Sequence, residues 1–211
     1  MISQVLDIPA VAFIGVASLL LIFFKDQRIR LFLLAGIYLS EFFLISLSWP
    51  VSLSVSKLIA GWMACAVLGM AITSNPPIST TGHIQEARSI PTFLRFFYVP
   101  PSTIFYLLSA VLVDLLAISA SVIVKAWLPG ILDEQIWAGF ILIGMGIIQL
   151  SFRSDAFSII VGLLTTLAGF EIIYVTVEGS ILVAALLAAI TLGLALVGAY
   201  LILSPNIVED E

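Results

Sequence analysis

The sequence predicts an all-α, polytopic integral membrane protein with about seven transmembrane helices, and two features support this prediction. Of the 211 residues, 62% are hydrophobic and only 10% are charged, and a soluble domain of this size cannot hide so much apolar surface. The apolar residues also lie in continuous runs of about 20, the length of a membrane-crossing helix, without the alternation of a β-barrel. The composition therefore excludes an ordinary soluble enzyme, a disordered chain and a nucleic-acid-binding protein.

The apolar runs form a single membrane domain over residues 1–211. The predicted helices lie near 8–24, 31–49, 52–73, 103–124, 135–152, 156–177 and 180–203. The start of the chain is poor in charge, with Asp7 and no basic segment. We therefore expect the first run to remain as a helix rather than to be removed as a signal peptide.

The basic residues predict the orientation of the helices. Six of them fall in the first, third and fifth loops, and only Lys125 falls in a loop on the other side. The six are Lys25, Arg28, Arg30, Arg88, Arg95 and Arg153. Because Lys and Arg collect in short cytoplasmic loops, we expect the N-terminus outside and the C-terminus in the cytoplasm. We also expect this membrane to be a prokaryotic cytoplasmic (inner) membrane.

The third loop, residues 74–102, is the only long one. Pro76, Pro77, Pro91, Pro100 and Pro101 prevent a continuous helix. Between them, residues 92–98 form an aromatic and basic stretch. This stretch fits an anchor at the membrane surface, and the alternative is a docking element for a neighbouring subunit.

Four ionisable residues lie within the predicted spans, namely Glu41, Lys57, Asp114 and Glu171. Such groups cost several kcal/mol in a bilayer core unless they are paired or hydrated. Three acids outnumber one cation, so we expect these residues to form part of a proton relay, with a purely structural role as the alternative. Glu178 lies at the turn between the last two spans, where charge is tolerated.

A tight turn at Trp49 and Pro50 makes the second and third spans antiparallel neighbours. Glu41 lies about 12 Å below the outer end of its span and Lys57 about 7 Å below the outer end of its own, at 1.5 Å per residue. The sequence therefore predicts a contact between Glu41 and Lys57.

No cofactor or metal site is expected. The only cysteine, Cys65, lies in an apolar run and the only histidine, His83, lies in the third loop. No ligand set for haem, an iron–sulfur cluster or a flavin is present. The last span has small residues at Ala184, Ala188, Ala195 and Ala199, a face that packs closely against another helix of this chain or of a partner.

The C-terminal part carries a family resemblance. The stretch from Arg153 through Gly169-Phe-Glu171-Ile-Ile-Tyr, followed by the small-residue helix at 185–196, resembles the K subunit of proton-pumping NADH–quinone oxidoreductase and the C subunit of multisubunit cation/proton antiporters. The whole chain is similar in outline to the longer form of that subunit, the E component of membrane-bound group 4 hydrogenases. Positions comparable to that longer form are Lys25, Arg28, Lys57, Asn75-Pro76 and Arg153.

The resemblance implies a membrane subunit of a proton- or cation-translocating complex that packs against antiporter-like subunits. Glu171 matches the glutamate of the K subunit, whereas the second membrane glutamate of that family is replaced by Ala189 or a neighbour. The alternative is a structural or assembly protein without a transport role. A self-contained solute carrier is less favoured, because paired broken helices in corresponding halves are not seen in the sequence.

Overall fold

The computed structural model describes residues 2–24, 26–74, 101–127 and 130–204, with side chains from residue 9 onward apart from 101–104 and 106. These residues form seven α-helices and no strand. The helices are α1 (Ile2–Phe23), α2 (Gln27–Ile45), α3 (Val51–Ser74), α4 (Pro101–Trp127), α5 (Asp133–Phe152), α6 (Ala156–Tyr174) and α7 (Ile181–Leu203). The all-helical prediction is therefore confirmed for the described residues.

Five helices are long and apolar enough to cross a membrane, which indicates an integral membrane protein. They are α3, the Leu107–Trp127 part of α4, α5, α6 and α7. The apolar part of α1, Pro9–Phe23, is shorter. Helix α2 carries Arg28, Arg30 and Glu41 along its length.

Helix α2 is shifted towards the N-terminus relative to the predicted span 31–49. It begins at Gln27 because Asp26 caps it, with the Asp26 carboxylate accepting the backbone N–H of Arg28 at 2.9 Å. It ends at Ile45, and residues 46–49 form the turn that precedes Pro50. The first turn of the helix is polar, so the apolar run in the sequence begins later than the helix itself.

Helices α2 and α6 lie at the centre of the bundle. Helix α2 packs against α1, α3 and α6, and α6 packs against α5, α7 and α2. The largest core cluster includes Ile37 of α2, Leu68 of α3 and Leu164 of α6. Helix α4 is peripheral and packs mainly against α5, with a small contact to α1. The two central helices carry the two buried glutamates of the predicted site.

Glycines allow the backbones of α5 and α6 to approach closely. A Cβ atom on Gly169 would lie 2.6 Å from the carbonyl oxygen of Gly139, and one on Gly146 would lie 2.8 Å from the carbonyl oxygen of Gly162. The obstacle in each case is backbone, which cannot rotate away as a side chain can. These contacts fix the position of α6 against α5.

We expect Gly169→Ala to lower the free energy of unfolding by about 1–3 kcal/mol, the usual cost of overpacking. Gly193→Ala on α7 is the matched control, because its added methyl group would meet nothing within 4 Å. The control should leave stability unchanged or raise it by about 0.5–1 kcal/mol through helix propensity. Thermal unfolding of the purified proteins in detergent measures both changes, and equal stability of the two variants would contradict the close packing.

The small-residue face of α7 packs within the chain. Ala184 and Ala195 are buried, and Ala188 and Ala199 are half-buried. Helix α7 lies against α3 and α6. The sequence left open whether this face packs against another helix of this chain or against a partner. In the described residues it packs within the chain.

Several predicted features lie outside the described residues. They are the third loop with its stretch 92–98, the histidine His83, and the charges Lys25, Arg88 and Arg95. These charges are three of the six basic residues on which the predicted orientation rests, and the orientation stays a prediction.

Candidate functional site

A buried ion pair joins α3 to α6. The Lys57 ammonium donates to Glu171 Oε1 at 2.7 Å, and the two residues are only 5% and 2% exposed. Lys57 lies in the second turn of α3, and Glu171 lies in the last turn of α6. Antiparallel packing within the bundle places these two ends together.

Helix α7 brings a hydroxyl group to the same place. Thr191 Oγ1 donates to the carbonyl oxygen of Leu187 at 3.0 Å and lies 3.5 Å from Glu171 Oε1. Thr191 is buried. The small-residue helix α7 therefore contributes a neutral polar group to the site.

Helix α2 contributes Glu41 and Tyr38, which lie three residues apart and are both buried. The ring of Tyr38 packs directly over Gly61 of α3, where a Cβ atom would collide with it. Within the described residues, both carboxylate oxygens of Glu41 and the hydroxyl group of Tyr38 have no hydrogen-bond partner. Buried polar atoms are rarely left in this state, so each such group calls for a functional or structural explanation.

The Glu41 carboxyl group lies close enough to Glu171 and to Lys57 to interact electrostatically with both. Two ionised carboxylates are both hydrogen-bond acceptors, so a hydrogen bond between them requires a proton on one of them. We call Tyr38, Glu41, Lys57, Glu171 and Thr191 the acid–lysine cluster. It contains two acids and one cation, and it becomes neutral when it holds one further proton or another monovalent cation.

The prediction that Lys57 pairs with Glu41 is wrong. Lys57 bonds to Glu171 instead, and Glu41 stands beside this pair without a hydrogen bond among the described residues. The hairpin of α2 and α3 does bring Glu41 near Lys57, as its turn predicted. However, α6 packs against α2 and supplies a carboxylate that reaches the ammonium more closely.

Asp114 is not part of the cluster. It lies on α4, which packs against α5 and α1, whereas the cluster is formed by α2, α3, α6 and α7. The structure thus brings together three of the four predicted relay residues, Glu41, Lys57 and Glu171, and leaves the fourth on a peripheral helix.

A second buried cation, Arg30, was missed because its position before the second apolar run made it look like a loop residue. It is 1% exposed in the first turns of α2. Arg30 Nη1 lies 2.5 Å from Ser158 Oγ, and Ser158 Oγ donates to the N-cap Asp155 of α6 at 2.6 Å. The guanidinium also lies 5.1 Å from the ring centre of Phe157. The Arg30–Ser158 contact ties the start of α2 to the start of α6.

Two further side chains close helix ends. Arg153 Nη2 donates to the carbonyl oxygens of Ile22 and Phe24 at 3.0 and 3.3 Å, at the end of α1. The buried Gln135 of α5 donates to the carbonyl oxygen of Leu44 at 2.8 Å, at the end of α2. Each bond goes to a carbonyl group in the last turn of a helix or just after it.

Metal coordination has no basis in the described part of the chain, where no three His, Cys, Asp or Glu side chains are grouped so that they could hold an ion. Cys65 is buried and free. The cluster's own chemistry is that of carboxyl, ammonium and hydroxyl groups, which exchange protons and accept hydrogen bonds.

Comparisons of the chain with family models, with curated proteins and with solved structures give no match.

Proposed function

We propose that this chain is a membrane subunit of a proton- or cation-translocating complex of the respiratory, hydrogenase or antiporter type, and that the acid–lysine cluster belongs to its proton path. The observation that carries the proposal is the buried Glu41 carboxyl group beside the Lys57–Glu171 pair, where no described residue donates a hydrogen bond to it. A proton shared by the two carboxyl groups would supply the missing donor.

The energetic cost of the cluster supports a role in proton transfer. An ionised carboxylate in an apolar interior is unfavourable by several kcal/mol unless it is paired or hydrated. A structural ion pair needs only one acid for one lysine, and the second acid adds cost without a bond among the described residues. The second acid is explained if a proton moves between Glu41 and Glu171. Lys57 would then stabilise whichever of the two acids is ionised.

The resemblance to the K subunit points in the same direction. Glu171 is the residue that matches that subunit's glutamate, whereas Ala189 or a neighbour stands where the family has a second acid. The proton path would therefore continue into neighbouring antiporter-like chains rather than be completed here. In this proposal all seven helices cross a prokaryotic cytoplasmic membrane.

A second candidate is a structural or assembly membrane protein. The 2.7 Å bond between Lys57 and Glu171 favours it, because the two charges satisfy each other. In this case the cluster would only join α3 to α6.

Purification in mild detergent combined with proton measurements separates the two candidates. A tagged chain should co-purify with large membrane subunits, identified by mass spectrometry. Inverted vesicles that lack the chain should then lose the acidification reported by a pH-sensitive dye when respiratory substrates or cation gradients are supplied, and the restored chain should recover it. A chain that purifies alone, from membranes whose proton movement does not depend on it, would support the structural candidate.

The proposed orientation gives a separate prediction. A reporter enzyme that is active only in the cytoplasm, fused after Glu211, should be active, because the basic loops hold the C-terminus inside. A reporter that is active only outside the cytoplasm should be silent at the same position. The reverse pattern would refute the orientation and leave the cluster unaffected.

A further inference from the structure

One edge of the buried Arg30 side chain has no partner. Its Nη1 atom donates to Ser158 Oγ at 2.5 Å in the first turn of α6, and Arg30 is only 1% exposed. The other two nitrogen atoms, Nε and Nη2, have no hydrogen-bond partner among the described residues. These two atoms form the side edge of the planar guanidinium, where two N–H groups point in nearly the same direction. Such a fork matches an oxyanion that accepts both bonds.

Positive charge is in excess at this end of the bundle, where α1 and α5 end and α2 and α6 begin. Three cations lie here against two acids in the part of the chain that the structure describes. They are Arg28, Arg30 and Arg153, and Asp26 and Asp155. Arg153 lies close enough to Arg30 to interact electrostatically with it, and the N-termini of α2 and α6 add partial positive charge. A buried cation is strongly unfavourable without a counter-ion, so the fork needs an acceptor.

The two described acids at this end are engaged as helix caps. The Asp26 carboxylate accepts the backbone N–H of Arg28. Asp155 Oδ2 accepts both the backbone N–H and the hydroxyl group of Ser158, at 3.0 and 2.6 Å. Neither acid bonds to the free edge of Arg30. The acceptor therefore comes from outside the described residues, and lipid headgroups place phosphate oxyanions at the depth where membrane-crossing helices begin and end.

We propose that Arg30 and Arg153 form a binding site for a phosphate group at the membrane boundary, carried by an anionic phospholipid or present as free phosphate. The Nε and Nη2 atoms of Arg30 donate two parallel bonds to phosphate oxygens. Arg153 adds a second positive charge while its Nη2 atom stays bonded to the end of α1. The site lies at the end of α6 remote from Glu171, so the inference goes beyond the proposed function and does not depend on it.

Native mass spectrometry of the purified full chain tests the site. Because the fork is buried, a phosphate group bound there is enclosed, and we expect one phospholipid or phosphate per chain to remain in mild detergent. Arg30→Gln should lower this occupancy by about tenfold or more, as expected when hydrogen bonds to a charged group are lost. Arg30→Lys should lower it nearly as much, because lysine keeps the charge but lacks the fork. Arg28→Gln is the matched control, since it removes an exposed positive charge from the same helix end, and it should keep the adduct.

Add-back to the delipidated wild-type chain identifies the source of the phosphate group and does not rely on any variant. Phosphatidylglycerol, diacylglycerol with the same acyl chains, and inorganic phosphate matched by sodium chloride of equal ionic strength are added separately in detergent. Phosphatidylglycerol should raise the unfolding temperature by about 2–4 °C or more. A rise with phosphatidylglycerol alone assigns the site to a lipid headgroup, and an equal rise with inorganic phosphate assigns it to free phosphate.

Three results would overturn the phosphate site. Diacylglycerol could stabilise the chain as well as phosphatidylglycerol does, which would show that the acyl chains bind and the phosphate does not. The adduct could keep the same occupancy in Arg30→Gln and Arg28→Gln, which would place it elsewhere. The wild-type chain could carry no adduct and gain no stability from any addition, which would leave water or a carboxylate of this chain as the acceptor. If Arg30→Gln does not fold, Arg30→Lys and the add-back to wild type decide.

Discussion

Glu171→Gln should leave the chain inserted and assembled while proton movement by the proposed complex falls by roughly a hundredfold, the lower end of what positioned proton-transfer groups contribute. Glutamine keeps the size of glutamate and one carbonyl oxygen that accepts from Lys57, but it cannot carry a proton. Lys57 still has an acid within electrostatic reach in this variant, because Glu41 interacts with it and can serve as its counter-ion. The variant cluster then contains one acid and one cation.

Measurements on the same vesicles should include Glu178→Gln as the matched control. Glu178 lies in the turn after α6, and its Oε1 accepts the backbone N–H of Ser180 at 3.1 Å, a bond that glutamine can keep. This control should move protons at the wild-type rate. If Glu171→Gln assembles normally and also moves protons at the wild-type rate, the relay role of Glu171 is refuted.

Lys57→Met should be the most destabilising single change in the cluster, with a loss of about 3–5 kcal/mol, as is usual when one partner of a buried ion pair is removed. It leaves Glu41 and Glu171 facing each other without the cation that lies 2.7 Å from Glu171. Methionine fills a volume similar to that of the lysine stem, so the loss reports charge rather than a cavity. Thermal unfolding in detergent and the yield of folded protein measure it.

The double variant Lys57→Met with Glu171→Gln should recover much of this loss, because the charge imbalance falls from two acids to one. The double variant Lys57→Met with Glu178→Gln is its control and should recover nothing, since Glu178 lies outside the cluster. Equal stability of the single variant and the first double variant would contradict the pairing of Lys57 with Glu171.

The sequence predicted the helices well and the contacts between them poorly, and the reason is physical. Length and apolar content determine whether a segment can cross a membrane, and both can be read from a single run of residues. The partner of Lys57 depends on how α6 packs against the hairpin of α2 and α3, and Glu171 is 114 residues away in sequence. A tight turn shows only that the two helices it joins are neighbours. The turn at Trp49 and Pro50 therefore predicted Glu41, on the adjacent helix, as the partner of Lys57.

The depths of the charged residues in the predicted spans indicate the correct partner of Lys57. Counted from the outer ends of the predicted spans, Glu171 lies about 9 Å deep and Lys57 about 7 Å, whereas Glu41 lies about 12 Å deep. Matching depths would have ranked Glu171 first. Arg30 carried a weaker signal, since a charge that precedes an apolar run gives no sign of whether the helix begins before it or after it.

The ties at the two ends of α2 determine what kind of motion the cluster can use. Arg30 holds the start of α2 to the start of α6, and Gln135 holds its end to α5, which is itself locked to α6 through glycine contacts. Sliding of one helix past another would have to break these bonds together. Rotation of the Lys57 and glutamate side chains about their own bonds breaks none of them. These bonds therefore hold α2 and α6, the helices that carry the two acids, in fixed positions relative to each other. Motion within the cluster is then limited to rotation about the side-chain bonds of Lys57 and the glutamates.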